Sequence, residues 1–152
     1  MKKWQRIAVS VVGTAAVMYG MIYADVVMRA RESYLEGEKY WNWADHPEQR
    51  AQVLAQKFDA DKAALDRKLS KGELTKDDYD RDLELLQFDH EQASQESSIK
   101  YAYVWYQTTV DLFSPPESKW VKMAREKMPL AKERWKAELR AKKIPFEDYM
   151  ID

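Results

Sequence analysis

The chain has 152 residues, 34% charged and 45% apolar, which is the length of about one domain. That charge content excludes a polytopic membrane protein, yet it leaves room for one span, because an average hides local runs. Cysteine is absent and the histidines are two, His46 and His90. Disulfides, thiolate metal sites, iron–sulfur clusters and a cysteine nucleophile are therefore excluded.

Four glycines and five prolines are few for a turn-rich β architecture, and the pattern below predicts an all-α fold. Charge is uneven. Lys2, Lys3 and Arg6 precede the first acidic residue, Asp25. From there on, 22 of the 25 basic residues meet all 26 acidic ones, a formal −4. Such a balance is no footprint for nucleic acid.

Residues 1–6 read as a basic cytoplasmic N-terminus and residues 7–28 as a transmembrane helix. Residues 7–24 (IAVSVVGTAAVMYGMIYA) hold 18 consecutive uncharged residues. At ~1.5 Å per residue they reach ~27 Å, and ~33 Å with 25–28 included, against a hydrocarbon core of ~30 Å. Trp4 at one end and Tyr19 and Tyr23 near the other suit the two interfaces. A cleaved signal peptide is the rival reading. The run is longer than a usual signal core, and Ile22 stands where a cut after Ala24 needs a small residue. An uncleaved anchor is expected. Lys2, Lys3, Arg6 and the free amine outweigh Arg29 and Arg31. They predict a cytoplasmic N-terminus in the inner membrane and a periplasmic C-terminal domain.

Gly13, Ala16, Gly20 and Ala24 recur at threes and fours along this helix. Small residues at that spacing let a second helix approach closely in lipid, which marks them as the membrane helix packing face.

Residues 29–44 are expected to continue the same helix as a stem. Tyr34, Tyr40, Trp41 and Trp43 crowd it, with Gly37 the only potential breaker. Trp41 and Trp43 are two apart and point to different faces, so at least one is a candidate partner contact.

Residues 45–113 read as a helical hairpin. Asp45 is the expected cap, Pro47 suits the first turn, and Gly72 suits a left-handed stop near residue 70. Thr75-x-x-Asp78 resembles a capping box and opens a second arm, expected as one helix over 76–113. Its last part, residues 99–113 (IKYAYVWYQTTVDLF), has no polar face and reads as a buried helix. Tyr101, Tyr103 and Trp105 alternate as in a strand, but no partner strand exists elsewhere. The stretch is also too short, and too charged at Lys100 and Asp111, for a second span.

Residues 114–152 read as a C-terminal basic helix and tail. Ser114-Pro115-Pro116-Glu117 is the expected cap. Trp120, Ala124, Met128, Ala131, Trp135 and Leu139 form the apolar stripe, and Pro129 is expected to kink the helix or remove one hydrogen bond. Residues 73–96 carry nine acidic against two basic residues, and residues 117–143 carry ten basic against four acidic. The last helix either pairs with carboxylates of its own chain or offers a basic face, with Trp120 and Trp135, to an acidic protein or anionic lipid.

No catalytic constellation is legible. Gln87 and Trp43 stand three residues before His90 and His46, where a di-iron bundle needs glutamate. No Gly-rich phosphate loop occurs. No enzyme activity, no metal and no cofactor are expected, and His90 reads as a packing residue. The function these features suggest is an accessory subunit bracing a larger membrane protein complex, such as a respiratory or photosynthetic one. Its partners would be other membrane protein subunits and the lipid bilayer. The alternative is a self-associating envelope scaffold or adaptor with the hairpin as spacer.

Overall fold

A computed structural model describes residues 3–147 and 151. The fold is all-α: five helices and, among the described residues, no strand. They are α1 (Lys3–Asp45), α2 (Pro47–Ser70), α3 (Lys76–Gln95), α4 (Ser98–Leu112) and α5 (Lys119–Ala141). Two compact units divide the chain, residues 1–40 with 99–152 and residues 41–98.

α1 runs 43 residues without a break and is long and apolar enough to cross a membrane. Gly37 does not interrupt it. Asp45, the expected cap of α2, is instead the last residue of α1. His46 takes the cap position without a side-chain hydrogen bond, and Pro47 opens the helix. The missing amide hydrogen of Pro47 leaves one donor fewer to satisfy there.

The second unit is an antiparallel hairpin of α2 and α3. Gly72 takes the left-handed conformation, φ 70°. Its N–H donates to Leu69 O and that of Glu73 to Lys68 O, closing α2 with a Schellman motif. Thr75 caps α3 by accepting from the Asp78 N–H at 3.1 Å. Along the hairpin, the Tyr79 hydroxyl donates to Asp66 at 2.6 Å and the Phe58 and His90 rings lie 5.0 Å apart. His90 packs, as its place on the apolar stripe predicts.

The arm expected as one helix over 76–113 is two. Glu96 leaves the helical region at ψ 146°. The carbonyls exposed by that break find a donor from 43 residues away: the Arg50 guanidinium reaches Ala93 O, Glu96 O and Ser98 Oγ, the last two at 2.6 and 2.9 Å. A charged fork on the final carbonyls replaces the water they would otherwise need.

In the first unit, α1, α4 and α5 form a three-helix packing. α4 runs antiparallel to α1: Tyr101 stacks on Tyr40 at 5.1 Å, Tyr106 lies against Gly37, and the Thr109 and Ser33 hydroxyls meet at 2.8 Å. Both hydroxyls also reach the Trp105 carbonyl. α4 is not buried all round as expected. Ile99, Ala102, Tyr103, Tyr106 and Thr109 are buried, whereas Val104 and Leu112 are exposed. Its hydroxyl-bearing side chains turn inward because hydrogen-bond partners wait there.

α5 begins four residues later than the expected Ser114 cap. Ser118 is the cap, its Oγ accepting from the Val121 N–H. Pro115, which would be the first helical residue after a Ser114 cap, itself precedes Pro116 and is thereby kept out of the helical region, so the helix starts later. Pro129 is absorbed without ending α5. Val121, Ala124 and Ala131 are buried, and the tail returns to the core at Ile151, whose carbonyl accepts from the Tyr103 hydroxyl at 3.0 Å.

Replacing Arg50 by Met should destabilise the hairpin by ~1–3 kcal/mol, because carbonyls at the end of α3 lose a charged donor. Faster amide exchange along α3 in the full-length variant is the expected readout. Exchange equal to that of the parent would show that Arg50 is not the cap.

Candidate functional site

Nothing in the described chain covers the apolar run. Every residue from Val9 to Asp25 is exposed. Ile7, Val9, Val11, Val12, Val17, Met18, Met21 and Ile22 each show 59% or more of their surface. Gly13, Ala16, Gly20 and Ala24 lie within ~80° of arc at 3.6 residues per turn. A methyl group added at Gly13 or Gly20 would meet nothing within 4 Å, so this strip is bare. Trp4, Tyr19 and Tyr23 are exposed toward the ends of the run.

The four tryptophans singled out as candidate partner contacts are all half-buried. Trp120 packs on Tyr34 at 5.7 Å, with Arg31 and Lys119 lying over its ring. Trp135 packs on Tyr103 at 5.8 Å. Trp41 and Trp43 stand at the start of the second unit, and each interacts within the chain.

Basic residues of α5 find carboxylates in their own unit. Arg125 pairs with Glu117, Lys127 with Glu38, Lys136 with Glu133 and Lys142 with Glu138. Arg125–Glu117 is exposed on both sides, and a pair of that kind is worth ~0–1 kcal/mol.

The Glu38 pair is different, and spacing in the sequence does not announce it. Lys127 Nζ donates to both Glu38 oxygens at 2.6 Å, and the Tyr106 hydroxyl donates to Oε1 at 2.6 Å. The Tyr34 hydroxyl also favours the charged form of the carboxylate. Burial pushes the Glu38 carboxyl up, but the hydrogen bonds from Lys127, Tyr106 and Tyr34 outweigh it and hold the group below the usual carboxylate range. Burial first, and the Glu38 carboxylate second, push both phenols well above the ordinary tyrosine value.

Gly37 makes this arrangement reachable. A Cβ there would stand 2.6 Å from the Tyr106 ring, so only glycine lets the ring lie on the α1 backbone beside Glu38. Tyr106 is fully buried. The cluster joins Tyr34 and Glu38 of α1 with Tyr106 of α4 and Lys127 of α5, and so ties the three helices together.

Among the described residues, no three Asp, Glu or His side chains converge as a metal site would require. No protein family, curated protein or solved structure matches the chain. The apolar run on α1 is uncovered among the described residues.

Gly37→Ala should destabilise the protein on thermal unfolding. Overpacking against a buried, hydrogen-bonded ring costs ~1–3 kcal/mol, more than the gain of up to ~1 kcal/mol in helix propensity. An unchanged or higher midpoint would contradict the close packing.

Glu38 also sets a pH dependence. Its folded value is lowered, so its contribution is present above the unfolded value of ~4.3 and lost as pH falls through the folded one. The unfolding midpoint should decline over that acid range, and Glu38→Gln should flatten the decline. Identical acid limbs in the two proteins would remove Glu38 from the account.

Proposed function

We propose that this protein is a single-pass, membrane-anchored accessory subunit of a larger membrane complex, with its N-terminus in the cytoplasm and its folded part in the periplasm. It has no catalytic site of its own in this reading; it braces neighbouring subunits. One observation carries the proposal: α1 presents a full span of apolar surface that the described residues leave bare, with a small-residue strip on one side. Leaving eight large aliphatic side chains in water costs on the order of 10 kcal/mol relative to burial. That is comparable to the whole stability of a domain, ~5–15 kcal/mol.

Lipid satisfies the apolar surface but gives the glycines nothing to do. Small residues gain from a second helix, where close backbone approach adds dispersion contacts. The outer helices support a bracing role. They are tied by buried side-chain networks and include, among the described residues, no group of metal-ligating side chains. Orientation follows from Lys2, Lys3 and Arg6 against Arg29 and Arg31.

Extraction in mild detergent followed by native sizing should recover the chain with other membrane proteins. Gly20→Leu should release it from them while it stays in the membrane fraction. Recovery of a discrete homo-oligomer with no other chain would replace this reading with that of a self-associating scaffold. Unchanged co-purification of the Gly20→Leu variant would take the small-residue strip out of the contact.

A further inference from the structure

We infer that the α4–α5 corner, led by Leu112 and Phe113, is a second membrane contact that rests in the interfacial layer of the same bilayer. The inference depends on α1 being a bilayer span, as proposed above.

The register of the first unit carries it. α4 descends along α1, with Tyr101 beside Tyr40, Tyr106 beside Gly37 and Thr109 beside Ser33. Continuing that antiparallel course, Leu112 comes level with Ala30 and Phe113 with Arg29.

Exposure along α1 agrees. Every residue from Val9 to Asp25 is exposed; Val26 and Val27 are the first to be half-buried, and Ala30 is fully buried. The folded body therefore begins where the apolar run ends. Ala30 stands ~9 Å beyond Ala24 and ~3 Å beyond Met28 along the helix. The polar layer on each side of the hydrocarbon is ~5–7 Å thick. Leu112 and Phe113 thus fall at headgroup depth, with no element of their own unit below them but the bare span.

Chemistry at the corner suits that depth. Leu112 is 70% exposed, a large apolar side chain offered outward at the tip of a helix. In the same unit, Trp120 at the start of α5 carries Arg31 and Lys119 over its ring, at 5.8 and 4.4 Å. An aromatic ring flanked by long cationic side chains is the usual furniture of a membrane–water boundary. Charges around the corner are nearly balanced: Arg29, Arg31, Lys119 and Lys122 against Asp25, Glu32, Asp111 and Glu117. The occupant is accordingly the apolar edge of the bilayer, with no requirement for an anionic lipid.

A cysteine-free chain makes the test simple. The full-length protein carries one substitution, Val12→Cys, Leu112→Cys or Leu130→Cys, each labelled with the same environment-sensitive fluorophore. All three positions are exposed on their helices, so folding is undisturbed. The labelled proteins are reconstituted in phosphatidylcholine vesicles whose acyl chains are brominated near the headgroup. The expected result is quenching at Val12 and Leu112, at least about twofold stronger than at Leu130, for groups sunk into the headgroup–acyl boundary. Quenching at Val12 but not at Leu112 would overturn the corner contact and leave the anchor standing. Absence of quenching at Val12 would overturn the anchor, and the corner with it.

Discussion

An apolar surface as large as that of residues 7–24 has to be covered by something other than water, and the described chain offers no cover. This constraint orders the rest of the molecule. Backbone groups inside hydrocarbon must be satisfied locally, and a helix does so without help. Continuing as helix through Asp45, α1 then becomes a wall for α4 and α5. Its lower part is apolar on all sides; its upper part carries a polar core of hydroxyls and one carboxylate.

That upper core is held by a few close contacts more than by bulk. Ala30, Ser33 and Gly37 form a shallow side of α1 into which α4 settles. Ser33 and Thr109 share a hydrogen bond, and Glu38 gathers Lys127, Tyr106 and Tyr34. Glu38 is only half-buried, yet a carboxylate partly withdrawn from water still needs partners. Here its partners come from both neighbouring helices, so the group specifies how α1, α4 and α5 lie together.

Local signals in the sequence were sufficient for local structure. The uncharged run marks α1, Thr75 with Asp78 marks the start of α3, Gly72 marks the turn, and the Trp120–Leu139 stripe marks the buried side of α5. What escaped was set by distant residues. The break at Glu96 depends on Arg50, which sits on another helix. Glu38 and Lys127 are 89 residues apart, and neither stands out among 25 basic and 26 acidic residues. Gly37 reads as a potential breaker until the Tyr106 ring is seen to need its missing side chain. The choice of Ser118 over Ser114 follows from the restriction that proline places on its predecessor, a rule visible in the sequence yet weaker to the eye than the Ser-Pro-Pro-Glu pattern.

The azimuth of α5 around α1 has a consequence for any neighbour. Arg31, Tyr34 and Glu38, which face α5, lie on roughly the same side of the α1 axis as Gly13, Ala16, Gly20 and Ala24, at ~100° per residue. A foreign helix nestled on that strip would run end-on into the first turn of α5. It would have to terminate or veer aside at about the level of Val26. For such a helix the fold would act as a depth stop, fixing how far along α1 it could ride.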